Sequence, residues 1–292
     1  ALGYPITCVG IPKTVDNDLP FTDSCPGFGS VAKYVATSIR EAAFDVASMS
    51  RSSTKIFILE VMGRHAGWIT AACGLAAEAE GQAPHVLLFP EIPLDEAAFL
   101  AKVDTSVKQY GYCVIGVSEG IRTQAGQFLA ESGIKDAFGH AQLGGVAPRI
   151  AKLIKNNLGY KYHWAVADYL QRSARHIASA MDATQAYALG QSAVELALAG
   201  HNGVMPIIER LSDAPYTWQL GVTPLSQVAN QERFMPRDFI SEDGMHITEA
   251  CRRYLQPLIE GEDYPPYHNG LPNYVVLKNH MVSKRLSIDY SL

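Results

Sequence analysis

Short apolar runs alternate with longer stretches of helical periodicity along most of this 292-residue chain. Residues 6–11 (ITCVGI) read as a strand, and 29–49 place apolar side chains at the three- and four-residue intervals of a helix. A β-rich run follows at 54–62, a small-residue helix at 66–79, a strand at 85–90, a helix at 94–110 and a buried strand at 111–120. Strands alternating with helices in this way predict a parallel sheet with right-handed crossovers. Beyond it, 144–159 reads as a helix with Gly159 as C-cap, and 161–169 as a strand. A long amphipathic helix is expected at 178–200, a strand at 202–210 and a helix near 245–260.

Composition narrows the class. Apolar residues make up 48% of the chain and charged residues 18%, as in a globular protein with a sizeable core. The net charge of −5 argues against wrapping nucleic acid. No apolar run reaches the ~20 residues that span a bilayer, and the first residues lack a leader pattern, so a cytoplasmic protein is expected. The five cysteines are scattered without a CxxC pair, which suits reduced thiols.

In open parallel sheets, ligands gather where the strands end. After 6–11 comes GIPKTVDNDLP, which carries Lys13, Asp16 and Asp18. Two carboxylates at one strand mouth repel unless a cation or a proton is shared between them. Held near Lys13 or Mg²⁺, a carboxylate stays ionised and can take a proton from an alcohol. On these residues alone, phosphoryl transfer and a structural turn both stay open. After 54–62 comes MGRHAGW, where Gly63 allows close approach and Arg64 offers a fork for phosphate. A tight turn with a solvated arginine is its plainer reading. GVSEG (116–120) fits the pattern of a hydrolase nucleophile at Ser118, but a strand-end loop presenting Glu119 is the better reading. Gly27-Phe28-Gly29 follows no strand directly, which disfavours a dinucleotide fingerprint. ADYLQRSARH (167–176) offers Tyr169 and Arg172, either as a phosphate clamp or as a solvated face.

Together, GIPKTVDNDL, EVMGRHAGW, GVSEG and YLQR resemble the phosphofructokinase family in order and spacing, from about residue 2 to about residue 203. The resemblance implies an α/β fold of two doubly wound three-layer (αβα) domains, the first incomplete in this chain. It places 1–26 and 169–240 in the phosphoryl-donor domain, and 27–168 and 241–292 in the sugar-phosphate domain. It implies phosphoryl transfer to O1 of fructose 6-phosphate with Mg²⁺. Asp16 is then the base, with Asp18 its partner near the transferring group and a metal ligand. Lys13 and Arg64 complete the catalytic set. Thr14, Val15, Lys55, Met62, Gly63, Arg64, Glu119, Tyr169, Leu170, Gln171 and Arg172 contact substrate. Lys55 and His163 stand where bacterial ATP-dependent members carry phosphate-binding arginines that reach a neighbouring subunit, so a dimer or tetramer is expected.

Lys13 points to pyrophosphate as donor, because bacterial ATP-dependent members carry glycine there. An ammonium can neutralise the leaving phosphate as a point charge. An ATP-dependent enzyme, a non-catalytic sugar-phosphate-binding subunit and a hydrolase acting through Ser118 are the alternatives. The family's Gly-Gly-Asp motif belongs upstream of Asp16, so a molecule beginning at Ala1 is expected to show no turnover alone. In GHAQLGG (139–145), Leu143 stands where compact members have arginine, which assigns the 6-phosphate contact to Arg172.

Overall fold

A computed structural model describes residues 5–135, 141–143 and 145–285. Its first half runs α1 (Phe28–Met49), β1 (Ile56–Val61), α2 (Trp68–Cys73), β2 (Val86–Leu88), α3 (Glu96–Tyr110) and β3 (Cys113–Ser118). An antiparallel pair, β4 (Glu131–Lys135) and β5 (Ala141–Leu143), precedes α4 (Val146–Leu158), β6 (Tyr162–Val166) and α5 (Asp168–Ser173). Then come α6 (Ala180–Leu198), the hairpin β7 (Val204–Asp213) and β8 (Tyr216–Pro224), and the short α7 (Leu225–Val228). The chain closes with α8 (Glu249–Leu255) and the small pair β9 (Tyr267–His268) and β10 (Leu271–Pro272).

Four parallel strands form one sheet in the order β2-β3-β1-β6. Alternation along the strands sorts side chains to two faces. Ile56 and Ile58 of β1, with Cys113, Ile115 and Val117 of β3, face a core that includes Phe99 and Val103 of α3 and Ile150 and Ile154 of α4. Leu59, Val61 and Val114 face a second core with Val31, Val35 and Ile39 of α1 and Trp68 and Ile69 of α2. Helices on both faces make three layers. Each large aliphatic side chain fully buried this way contributes about 1.5–3 kcal/mol. Among the described residues this is the one sheet of more than two strands, so a second complete three-layer unit is not found there.

Three helices begin at a glycine, which has no side chain to satisfy their first N–H groups. For each, a carboxylate distant in sequence does so. Asp182 of α6 accepts from the backbone of Gly27 at 2.8 Å and Ser30 at 3.0 Å, at the start of α1. Glu91 accepts from Gly67 N–H at 2.8 Å, at the start of α2. Glu60, inside β1, accepts from Gly145 and Ala147 N–H at 3.1 and 2.7 Å, at the start of α4. These caps tie each helix to another element, and the helix N-terminus favours the negative charge.

Several expectations change. Residues 6–11 do not form a strand. They make a single parallel bridge, Val9 to Val204, flanked by Gly10 N–H to Val204 at 2.8 Å and Gly203 N–H to Cys8 at 2.8 Å. Ile6 and Ile11 of that run stay 65% and 49% exposed, so apolar character here does not mark a buried strand. The helix read at 66–79 stops at Cys73 and tightens to a single 3₁₀ turn over Gly74–Ala76. Strand β8 was not expected at all. Gly159 does close α4 in the left-handed conformation, at φ 73°. Residues 136–140 and 144 of the GHAQLGG region lie outside the described residues. No helix among the described residues is long and apolar enough to cross a membrane.

Candidate active site

The carboxyl ends of β1 and β3 carry Met62-Gly63-Arg64 and Glu119 to one mouth of the sheet. Glu119 N–H donates to Val61 C=O at 3.0 Å, continuing the ladder one residue past β3. Gly63 has φ 130°, a left-handed value that favours glycine. Gly120 is required for a different reason: a Cβ there would lie 2.0 Å from the Arg64 carbonyl oxygen. The two loops therefore pass backbone against backbone. Ser118 joins them. Its buried hydroxyl donates to Gly63 C=O and accepts from Gly120 N–H at 3.0 Å. Both hydrogen-bonding roles of that hydroxyl are structural, which removes the hydrolase alternative.

Asp16 and Asp18 arrive from a different direction, on an irregular loop. Between them Asn17, wholly buried at φ 56°, turns its side chain inward. Its Oδ1 accepts from Cys25 N–H at 3.0 Å and its amide donates to the Tyr254 hydroxyl at 2.9 Å. The flanking aspartates are thereby turned toward the mouth. Arg233 clamps the loop from behind, donating to carbonyls of Asn17 (2.8 Å), Thr22 (2.7 Å) and Asp23 (2.9 Å) while stacking on Trp68. Arg233 N–H also reaches Asp18 C=O at 2.6 Å.

Asp16, Asp18, Arg64, His65, Ala66, Glu119 and Glu232 line one cavity of about 320 Å³. Burial, reinforced by the charge of Asp18, raises the Asp16 carboxyl above its ordinary value, against a lowering contact from the Thr14 hydroxyl and the charges of Arg172 and Arg64. Asp18 is raised by burial and by Glu232. Glu119 is pushed to about 7, mainly by burial and secondarily by Asp16. Thr14 Oγ1 accepts from Asp16 N–H at 3.1 Å, so it shapes the aspartate's own turn. Three acidic groups of raised affinity for protons around one arginine suit a proton-accepting role beside a bound anion.

Other expected residues fall elsewhere. Gln171 is buried, accepting from Met62 N–H at 3.4 Å and donating to Asp168 C=O at 3.0 Å, so its side chain braces the loop and does not face the cavity. Tyr169 and Leu170 are exposed, and Arg172 lies over the Tyr169 ring at 5.2 Å. Val15 packs against the core beside Gly27. Lys13 is exposed and is not one of the side chains that line the cavity. Lys55 sits at the opposite end of β1, seven residues and roughly 23 Å of strand from Met62, and donates to Ser50 C=O at 2.7 Å. His163 pairs with Phe57 on the exposed edge strand β6. Neither reaches this cavity within one chain. Three contributors were not singled out from the sequence. His65 lies within MGRHAGW, where the motif itself gives it no role, and Glu232 and Arg233 lie in a polar stretch with no periodicity to mark them.

The chain matches the family model for phosphofructokinase over residues 2–197. It belongs to the phosphofructokinase family. Two curated phosphofructokinase relatives named pyrophosphate–fructose 6-phosphate 1-phosphotransferase are close in sequence. That of Halomonas elongata is 64% identical over 98% of this chain and 68% of its own length. That of Methylococcus capsulatus is 63% identical over 100% of this chain and 69% of its own. The crystal structure of pyrophosphate-dependent phosphofructokinase from Nitrosospira multiformis superimposes with a TM-score of 0.90 at 62% identity, covering 98% of this chain and 68% of that one.

Proposed function

We infer that this phosphofructokinase transfers a phosphoryl group from pyrophosphate to O1 of fructose 6-phosphate. The observation that carries the reading is the shared cavity of Asp16, Asp18, Arg64 and Glu119. The names of relatives at 64% and 63% identity supply its substrates. In this reading Asp16 accepts the proton of the O1 hydroxyl as that oxygen attacks phosphorus, and the bond to the leaving phosphate breaks. Burial makes Asp16 a stronger base than an exposed carboxylate. Arg64 stabilises charge on the transferring group and Lys13 receives the departing phosphate. Arg172, in electrostatic range of Asp16, anchors the sugar's 6-phosphate.

Among the described residues no group of three or more His, Cys, Asp or Glu side chains is arranged to hold a metal. Mg²⁺ commonly takes one or two carboxylates and fills its shell with phosphate oxygens and water. Asp18 is the residue that would hold it. When bound, Mg²⁺ neutralises charge on the phosphates.

We keep the two-domain division as part of this proposal, with one adjustment. Met205, Ile207 and Val228 form a small core of their own with Leu19 and Leu225, which groups the start of the chain with the hairpin. Met235 and Ile240 pack in the core of the sheet, which supports a return crossing before Met235. A cytoplasmic homo-oligomer working near equilibrium in glycolysis and gluconeogenesis completes the proposal, with Lys55 and His163 serving a neighbouring subunit.

The test is a donor comparison with the full-length product of the gene, fructose 6-phosphate and Mg²⁺. Fructose 1,6-bisphosphate is expected from pyrophosphate, with a large loss in Lys13→Gly. Turnover with ATP alone would overturn the donor assignment, and binding without turnover would favour a non-catalytic role.

A further inference from the structure

The cavity has two unlike ends. The charged groups that act on Asp16, besides Asp18, are Arg172 and Arg64. Those acting on Asp18 are Glu232, Arg233 and His65. The Asp18 end thus has its own histidine–carboxylate pair. His65 Nδ1 lies 2.9 and 3.2 Å from the two oxygens of Glu232. A carboxylate here accepts, so Nδ1 carries the proton and the ring is fixed in orientation. Two further contacts hold the pair. The His65 ring stacks on Phe128 at 6.3 Å with 16° between planes, and Phe128 is itself covered by Arg122 at 4.1 Å. Glu232 is fixed through its neighbour, whose N–H bonds to Asp18 C=O. Both side chains line the cavity and are only partly exposed, at 33% and 45%. With Nδ1 engaged by Glu232, Nε2 is the polar atom the ring has left to offer a ligand.

We propose that His65, oriented by Glu232, binds the phosphoryl donor through a hydrogen bond between Nε2 and a phosphate oxygen at the Asp18 end of the cavity. The proton of that bond can lie on either atom, since phosphates keep an ionisable proton near neutral pH. This rests on the functional reading above and deepens it. With the sugar 6-phosphate on the Arg172 side of Asp16, outside the cavity lining, the donor is left with the Asp18 end. His65 touches the donor, and Glu232 acts through His65 as a positioning residue. A carboxylate facing a polyanion would otherwise repel it, and the imidazole between them screens that charge.

The alternative role for the pair is a latch between the MGR loop and residues 231–235. His65→Asn separates the two, because its amide can still donate to Glu232 but has no atom in the place of Nε2. In the full-length enzyme, His65→Asn is expected to raise KM for pyrophosphate, and for phosphate in the reverse direction, about tenfold to a hundredfold. KM for fructose 6-phosphate should stay within about twofold and Tm should be unchanged. Glu232→Gln, which keeps an acceptor oxygen but not its charge, should move the same constants less. An Asn variant with wild-type donor KM, or with both KM values raised together, would overturn the proposal. Wild-type turnover with pyrophosphate is measured first and tests the functional reading by itself, so an unchanged variant then counts against His65 alone.

Discussion

The sheet-end loops and the 10–23 loop deliver catalytic groups to the same cavity by opposite means. Met62–Arg64 and Glu119 are set by backbone. The register between β1 and β3 runs unbroken from Ile56–Cys113 to Val61–Ser118, and the next residues carry the chemistry. The 10–23 loop has no such ladder. Asp16 and Asp18 are held by the side chains of Asn17, Arg233 and Tyr254, and two of those lie more than 200 residues away in sequence. A ladder distributes its hold over many bonds, so removing one side chain barely moves it. A side-chain clamp concentrates its hold, so one deletion releases the loop. The sheet side should therefore fail by steric intrusion, and the loop side by side-chain removal.

The sharpest way to break the sheet side is Gly120→Ala. Its methyl would meet Arg64 C=O at 2.0 Å and Gly63 C=O at 2.7 Å, both backbone atoms with no rotamer to retreat into. Displacing Arg64 by an ångström is expected to lower kcat/KM by about a hundredfold or more, read by steady-state kinetics on folded protein. Arg233→Ala should break the other side. It strands several carbonyls that the guanidinium now satisfies, so we expect a loss of about 2–4 kcal/mol in denaturant unfolding. A tens-fold fall in kcat should accompany it. Arg233→Lys, a point charge without the fork, should recover only part of either loss.

How far each side could be read from sequence follows the same division. The helices α1, α3 and α4 and the strands β1 and β3 carry clear periodicity, and their ends placed Arg64 and Glu119 at one mouth. The motif placed Asp16 and Asp18, but nothing local named their clamp. Arg233 and Glu232 act across more than 160 residues and sit in a segment without pattern. Gln171 looked like a ligand contact because it adjoins Arg172, yet the first turn of a helix sends neighbouring side chains in different directions, and it points inward. Strand β8 escaped because its outward positions are polar or exposed and Gly221 interrupts them. Residues 6–11 misled for the converse reason, being apolar but joined to the fold by one bridge.

A smaller effect sharpens the comparison further. Glu119 titrates at about 7 because it is buried, above its unfolded value. Between those two values the folded state binds more protons than the unfolded one, so stability falls as pH rises toward 7 and stays low above it. Glu119→Gln cannot ionise. It should flatten that part of the profile and raise Tm at pH 8 by a few degrees relative to wild type, while differing little near pH 4. A wild-type profile without this slope would mean that Glu119 stays solvated.

The most direct test of the account is Asp16→Asn, assayed in the full-length enzyme with pyrophosphate and fructose 6-phosphate. Asparagine matches the aspartate in shape, so the clamp through Asn17 and Arg233 should survive and both KM values should hold. The account predicts a fall in kcat of about 10²–10⁴-fold, the typical contribution of a positioned proton acceptor. A folded Asp16→Asn enzyme with near-wild-type kcat would contradict it.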